Sequence, residues 1–177
     1  MDIKIRPELN TEYRATEETI QTAFLHEEFS DKSEHLLVNK IRKSDAFIPE
    51  LSLVALNQNE DIIGHILLSK IKIVEGANKV DSLALAPVSV TPKHQKNGIG
   101  SQLIRAALKK ANDLGYRSVI VLGHKDYYSK FGFKQARLWN IKAPFDVPDE
   151  QFMALEITDH ALDNVSGVVQ YSEAFLD

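Results

Sequence analysis

The stretch Ser82-Leu-Ala-Leu-Ala-Pro-Val-Ser-Val90, continuing as Thr91-Pro-Lys-His-Gln-Lys-Asn-Gly-Ile-Gly-Ser101 and then as an amphipathic run to Leu114, decides how this chain folds. Leu83 and Leu85 fall on odd positions, Val88 and Val90 on even ones. Side chains of a strand alternate between its faces, so a change of parity means one inserted residue. Pro87, which cannot donate to a ladder, sits at the slip. The pattern predicts a β-bulge at Ala86-Pro87 that bends the strand away from its next neighbour.

Downstream, Ile99, Leu103, Ile104, Ala107, Leu108, Ala111 and Leu114 recur at helical spacing and predict a buried helix face, with Gln102, Arg105, Lys109, Lys110 and Asp113 on the wet side. Gly115 ends the helix in the manner of a C-terminal glycine. Gly98 and Gly100, just before it, allow the backbone to approach a ligand closely. The unpaired N–H groups of the first turn and the positive end of the helix dipole make an anion site there, suited to a diphosphate.

Spacing excludes the competing phosphate loops. No Gly-x-x-x-x-Gly-Lys-Ser/Thr string exists, and Leu103 stands where the dinucleotide fingerprint needs its third glycine. What remains is Gln95-Lys-Asn-Gly-Ile-Gly100 after a proline-broken strand, followed later by Tyr128-Ser-Lys-Phe-Gly-Phe133. In these segments the chain resembles the GNAT superfamily of N-acetyltransferases, whose pyrophosphate loop reads Gln/Arg-x-x-Gly-x-Gly/Ala. With Met-Ala-Leu-Glu at 153–156 and a terminal Tyr-x-x-Ala-Phe, it looks like a bacterial subgroup of unassigned substrate. The resemblance spans most of the chain, and its specific motifs lie within residues 82–133. One departure stands out: typical members carry an asparagine after strand five, where this chain has Gly123-His124.

Reading outward, Ile3 and Ile5 alternate with charges as a first strand, and residues 12–25 predict a helix. A second helix is expected at 34–42, capped by Asp31 or Ser33. Strands at 51–56, 62–74 and 80–90 predict an antiparallel meander. Ser118-Val-Ile-Val-Leu122 reads as a buried parallel strand, closing a right-handed β–α–β unit with the helix before it. A short helix over 123–128, a loop at 139–149, and strands at 152–157 and 168–171 complete the reading. The expected fold is α/β (α+β): one domain over 1–177, with a mixed twisted sheet of about six to seven strands and helices on both faces.

Composition narrows the function further. The 44% hydrophobic and 26% charged content is that of an ordinary globular protein. A formal net charge of −4 argues against a dedicated nucleic-acid binder. Cysteine is absent, which removes disulfides, thiolate metal sites and thioester-linked enzyme intermediates. The histidines at 26, 35, 65, 94, 124 and 160 show no helical i,i+4 pair, so no metal site is expected. No Gly-x-Ser-x-Gly elbow is present. No signal peptide or apolar run of membrane-spanning length appears, so the expected location is cytoplasmic, with no membrane partner.

The resemblance implies transfer of an acetyl group from acetyl-CoA, as co-substrate, directly to the amine of a small molecule or peptide. It implies a diphosphate on the backbone of Gln95, Lys96, Asn97, Gly98, Ile99, Gly100 and Ser101. A pantetheine arm would lie along Val88, Ser89 and Val90 like an added strand, and Tyr128 would protonate the departing thiolate. Tyr127, adjacent on the same short helix, points elsewhere and is assigned no role. The general base stays open among a water relay to Glu27, Glu28 or Glu156. An acyl-CoA-binding sensor without turnover is the alternative, and a second copy of the chain is an open partner.

Overall fold

The computed structural model describes residues 2–28 and 30–176. Its spine is a long hairpin of β3 (Ile62–Glu75) and β4 (Asn78–Val90). β1 (Lys4–Pro7) and β2 (Ser52–Leu56) extend the sheet antiparallel from the outer edge of β3. Beyond the reach of β2, Lys72–Val74 of β3 take a different neighbour, β9 (Gly167–Gln170). On the other side of β4, β5 (Ser118–Leu122) is parallel, and β8 (Phe152–Glu156) and the two-residue β6 (Lys134–Gln135) follow antiparallel.

Among the described residues the sheet thus has nine strands, against the six to seven expected. Part of the difference is β7 (Ile141–Lys142), which pairs with β9 inside the segment expected to be a loop. Two residues are too few to display a period, so only the tertiary pairing reveals that strand. The parity change in β4 is a bulge: Ile66 faces Val88 and Leu68 faces Leu85, so one β3 residue is matched by two on β4. The Ala86-Pro87 peptide is cis.

Two layers cover the sheet. On one face, α3 (Ile99–Asp113) buries Ile99, Leu103, Ile104, Ala107 and Ala111 against Leu53, Ile66, Leu68, Leu83 and Leu85. On the other, Leu67 of β3 meets Ile20 of α1 (Tyr13–Phe24) and Val38 and Ile41 of α2 (Glu34–Arg42). Ala84 and Ile120, on that same side, lie under Ala136, Ile141, Leu162 and Val169. Phe175 packs against both of these clusters. The expected cap on α2 is different in detail: the Ser33 hydroxyl and N–H both donate to Asp31 Oδ1, and Ser33 makes no cap bond.

A polar chain is sealed under α1 and α2. Arg42 donates to Glu8 Oε1 and Oε2 at 3.1 and 3.0 Å and to Glu17 Oε2 at 2.6 Å, while its guanidinium lies 4.1 Å from the Tyr13 ring centroid. The Arg42 and Glu8 side chains are only 4% and 1% exposed, so neither charge is hydrated and each needs the other. Ser52 Oγ donates to Glu8 Oε1 at 2.6 Å and lies 3.0 Å from Nε2 of His65, which is fully buried. Burial, reinforced by the positive charge of Arg42, pushes the His65 imidazole down from its ordinary 6.5 to about 3.

That shift couples stability to pH. Between 6.5 and about 3, an unfolded chain holds a proton on His65 and the folded one does not. Stability is therefore lost as pH falls through this window, by at most about 1.4 kcal/mol per pH unit. Urea unfolding between pH 7 and 5 should show this slope, and His65→Gln should flatten it. Equal slopes for the two proteins would mean that His65 does not change its protonation on unfolding.

Candidate functional site

β4 and β5 pair only at Leu83–Val119 and Ala84–Ile120. Beyond Ala84 the bulge turns β4 aside. Val88, Ser89 and Val90 continue to pair with Ile66, His65 and Gly64 on β3, while Val121 and Leu122 pair with Met153 and Phe152 on β8. Among the described residues, one edge of each strand is left without a partner beyond this point, and the diverging strands form a wedge. Exposed strand edges in a wedge offer alternating donors and acceptors to an extended ligand.

The loop from β4 to α3 closes one end of that wedge and is built by its own side chains. Gln95 Nε2 donates to the Val90 carbonyl at 3.0 Å, Asn97 Nδ2 to the His94 carbonyl at 3.4 Å, and Thr91 Oγ1 lies 2.8 Å from His94 Nδ1. Gln95 and Asn97 therefore shape the loop. Lys96 and Gly98 both take left-handed backbone conformations, at φ of 67° and 78°. The first helical bond of α3 runs from the Gln102 N–H to the Gly98 carbonyl, at 3.1 Å. The N–H groups of residues 96–101 find no backbone acceptor among the described residues. Such a run of free donors at a helix start is suited to anionic oxygens.

The two glycines have different tasks. A Cβ at Gly98 would meet nothing within 4 Å, so that position needs glycine for its conformation alone. A Cβ at Gly100 would lie 3.1 Å from the Tyr127 hydroxyl, so that position needs glycine for space. Here the structure adds a residue that sequence reasoning set aside. The Tyr127 hydroxyl stands over the start of α3, and Lys130 Nζ lies 4.3 Å from its ring centroid. Residues 127 and 128 do point in different directions, but it is Tyr127 that reaches the loop. A four-residue helix carries no period from which this could be read.

Tyr128, in α4 (Lys125–Tyr128), belongs to the core cluster that includes Val119 and Val121 of β5. It is 9% exposed, with ring centroids 5.1 Å from Tyr127 and 5.7 Å from Phe133, both edge to face. No hydrogen bond engages its hydroxyl among the described residues. Burial, and secondarily Tyr127, push this phenol up from 10 to about 12. A Cβ at Gly123 would fall 2.3 Å from Tyr128 Cε2. The glycine in place of the family's asparagine is thus a condition for the position of this ring.

The candidate bases lie in different surroundings. Glu27 and Glu28 are exposed, and the Glu27 carbonyl accepts from Lys32 Nζ. Glu156 pairs in register with Ser118, at the closed end of β5, and its Oε2 accepts the Leu162 N–H at 2.9 Å. His124 is exposed. Among the described residues, no group of three or more His, Asp or Glu is placed to hold a metal ion, and no helix is long and apolar enough to cross a membrane.

Comparison with known proteins agrees with this geometry. The model of the acetyltransferase (GNAT) family matches residues 7–133, and the chain belongs to that family. The uncharacterized N-acetyltransferase YhbS of Escherichia coli K12 is 31% identical over 153 residues, covering 86% of this chain and 89% of its own. YhbS from Escherichia coli in complex with CoA superposes with a TM-score of 0.88 at 25% identity, covering 99% of this chain and 92% of that one. A GNAT family acetyltransferase from Brucella melitensis in complex with acetyl-CoA gives a TM-score of 0.80 at 30% identity, covering 98% of both chains.

The contact between Gly123 and Tyr128 is directly testable. Gly123→Ala should destabilise the fold by about 1–3 kcal/mol, as overpacking does. In a Tyr128→Ala background the same substitution should cost markedly less, because the coupled partner is gone. Equal costs in the two backgrounds, measured by urea unfolding, would show that the glycine does not serve the ring.

Proposed function

We propose that the protein transfers the acetyl group of acetyl-CoA directly to the amine of a small molecule or peptide. The observation that carries this reading is the unpaired wedge between β4 and β5, which ends in the run of free N–H groups at 96–101. CoA combines an extended, amide-bearing arm with a diphosphate, and the wedge and loop match those two parts in that order. The complexes of the two similar acetyltransferases with CoA and acetyl-CoA support the same choice of co-substrate.

In this reading the arm lies along the open edge of Val88, Ser89 and Val90 as an added strand. The diphosphate rests on the backbone from Gln95 to Ser101, with the Tyr127 hydroxyl as a further donor beside Gly100. Catalysis is chiefly positioning: the amine nitrogen is held against the thioester carbon in a site with little water. A backbone N–H near Val88 steadies the oxyanion that develops. Nitrogen forms its bond to carbon, the carbon–sulfur bond breaks with its electron pair on sulfur, and Tyr128 supplies the proton. A phenol held near 12 stays protonated at every physiological pH, as an acid in this role must.

The test is acetyl-CoA turnover with a panel of primary amines, amino acids and N-terminal peptides, followed by release of free thiol. Tyr128→Phe should lower kcat by ~10²- to 10⁴-fold with acetyl-CoA affinity little changed. A parental rate for this variant, with chemistry limiting, would make Tyr128 a packing residue only. Gly100→Val should weaken acetyl-CoA binding by about 2 kcal/mol or more in calorimetry. The same substitution in a Tyr127→Phe background separates a clash with the tyrosine from a clash with the ligand. A protein that binds acetyl-CoA tightly yet acetylates no amine would instead be a sensor.

A further inference from the structure

The sealed polar chain has a direction, and it can be read from its hydrogen bonds. The Glu8 carboxylate, paired with Arg42, can only accept. The single hydroxyl proton of Ser52 therefore goes to Glu8 Oε1, at 2.6 Å. Ser52 Oγ is then an acceptor toward His65 Nε2, 3.0 Å away, so that nitrogen carries the ring proton. His65 is neutral, so its Nδ1 is left as a bare lone pair. That Nδ1 is fully buried and has no hydrogen-bond partner among the described residues.

The register places a second such atom beside it. His65 pairs with Ser89 across β3 and β4, so the two side chains leave the sheet on the same face. Ser89 is 4% exposed and its hydroxyl is likewise unpartnered. A third buried polar atom without a partner among the described residues, the hydroxyl of Thr16, belongs to α1, the helix packed over this part of the sheet. Buried polar atoms rarely stay unsatisfied, and a site with two to four of them is where an internal water is held. Ser89 also lies in the β4 segment whose other edge forms a wall of the wedge.

We propose that a water seated between Ser89 Oγ and His65 Nδ1 completes a proton relay from the wedge to Glu8, and that this relay removes the proton from the attacking amine. The inference rests on the acetyl-transfer reading above and names the route that reading lacks. As the carbon–nitrogen bond forms, the amine proton passes to Ser89 Oγ, whose own proton moves to the water. The water gives one to His65 Nδ1, Nε2 gives one to Ser52 Oγ, and the Ser52 proton goes to Glu8 Oε1. Each intermediate group gains one proton and loses one, and Glu8 holds the net gain. When product leaves, the chain runs in reverse to solvent in the emptied wedge, and Tyr128 recovers its proton from solvent. His65 is a positioning and relay residue that never contacts the substrate.

Two experiments decide the matter, one of them independent of any acceptor. Nitrogen-15 spectra of the imidazole in the full-length protein should show His65 as the Nε2–H tautomer, with Nδ1 accepting a hydrogen bond that Ser89→Ala abolishes. An Nδ1–H tautomer, or an Nδ1 signal indifferent to Ser89→Ala, overturns the relay. Single-turnover acetyl transfer to the best amine of the panel should slow about 10- to 100-fold in Ser52→Ala and Ser89→Ala, with acetyl-CoA affinity unchanged. The rate in mixtures of light and heavy water should change from a curved, several-proton dependence to a linear one. Ser52→Thr, which restores the hydroxyl, should restore both. A purely structural network would lower the unfolding midpoint of these variants and leave rate and proton dependence alone, and that result also overturns the relay. Absence of acetyl transfer by the parent to every amine would instead defeat the acetyl-transfer reading, while the spectra still decide whether the water site exists.

Discussion

The bulge at Ala86-Pro87 is the constraint on which the site depends. A parallel strand beside β4 would normally pair along its whole length, and the two ladders would satisfy each other's backbone groups. One extra residue in β4 shifts its direction while its bond to β3 resumes at Val88. The sheet therefore stays continuous on the β3 side and opens only toward β5. Backbone groups along such open edges can be met by water or by an extended ligand, which is what makes the missing ladder tolerable.

Three consequences follow from that single departure. The α3 N-terminus, fixed by Leu103 and Ile104 in the core, comes to lie at the mouth of the wedge. The N–H groups of 96–101, which find no backbone acceptor among the described residues, belong to the connection that leaves β4 beyond this point. Tyr128 packs in the core cluster of Val119 and Val121 because Gly123 leaves room for its ring. On the opposite face, Ser89 and His65 are brought into register by the same resumed pairing after the bulge. A shift of β4 by one residue would have turned Ser89 toward α3 while His65 stayed on the α1 side.

What the sequence made legible was whatever repeats locally. The parity change, the seven-residue apolar face of α3 and the glycines of its loop each occupy a window in which a period can be counted. Illegible features are those that join distant segments. Arg42 and Glu8 lie 34 positions apart, and nothing in either neighbourhood signals a buried pair. His65 read only as one of six histidines, and Tyr127 as the neighbour of a more promising tyrosine. The distinction between Gly98, kept for conformation, and Gly100, kept for space, also needs the position of a ring 27 residues away. Glu156 looked available until its register with Ser118 placed it at the closed end of the strand.

Burial makes opposing demands on Tyr128. With its phenol near 12 and a free thiol near 8.5, handing a proton to a thiolate would be uphill by roughly 5 kcal/mol. With both groups at their values in water the gap is only about 2 kcal/mol. Desolvation, however, acts on whichever form is charged, and the departing thiolate would be an anion in the same dry wedge. The environment that holds the phenol's proton also raises the thiolate's affinity for one. The two effects offset each other most completely when both groups share one shielded space. A tyrosine at the surface would need no such compensation, because with phenol and thiolate both hydrated the gap stays at about 2 kcal/mol. Under the proposed acetyl transfer, the packing of the ring against Gly123 and Phe133 suits an acid that acts once the wedge is filled and water is excluded.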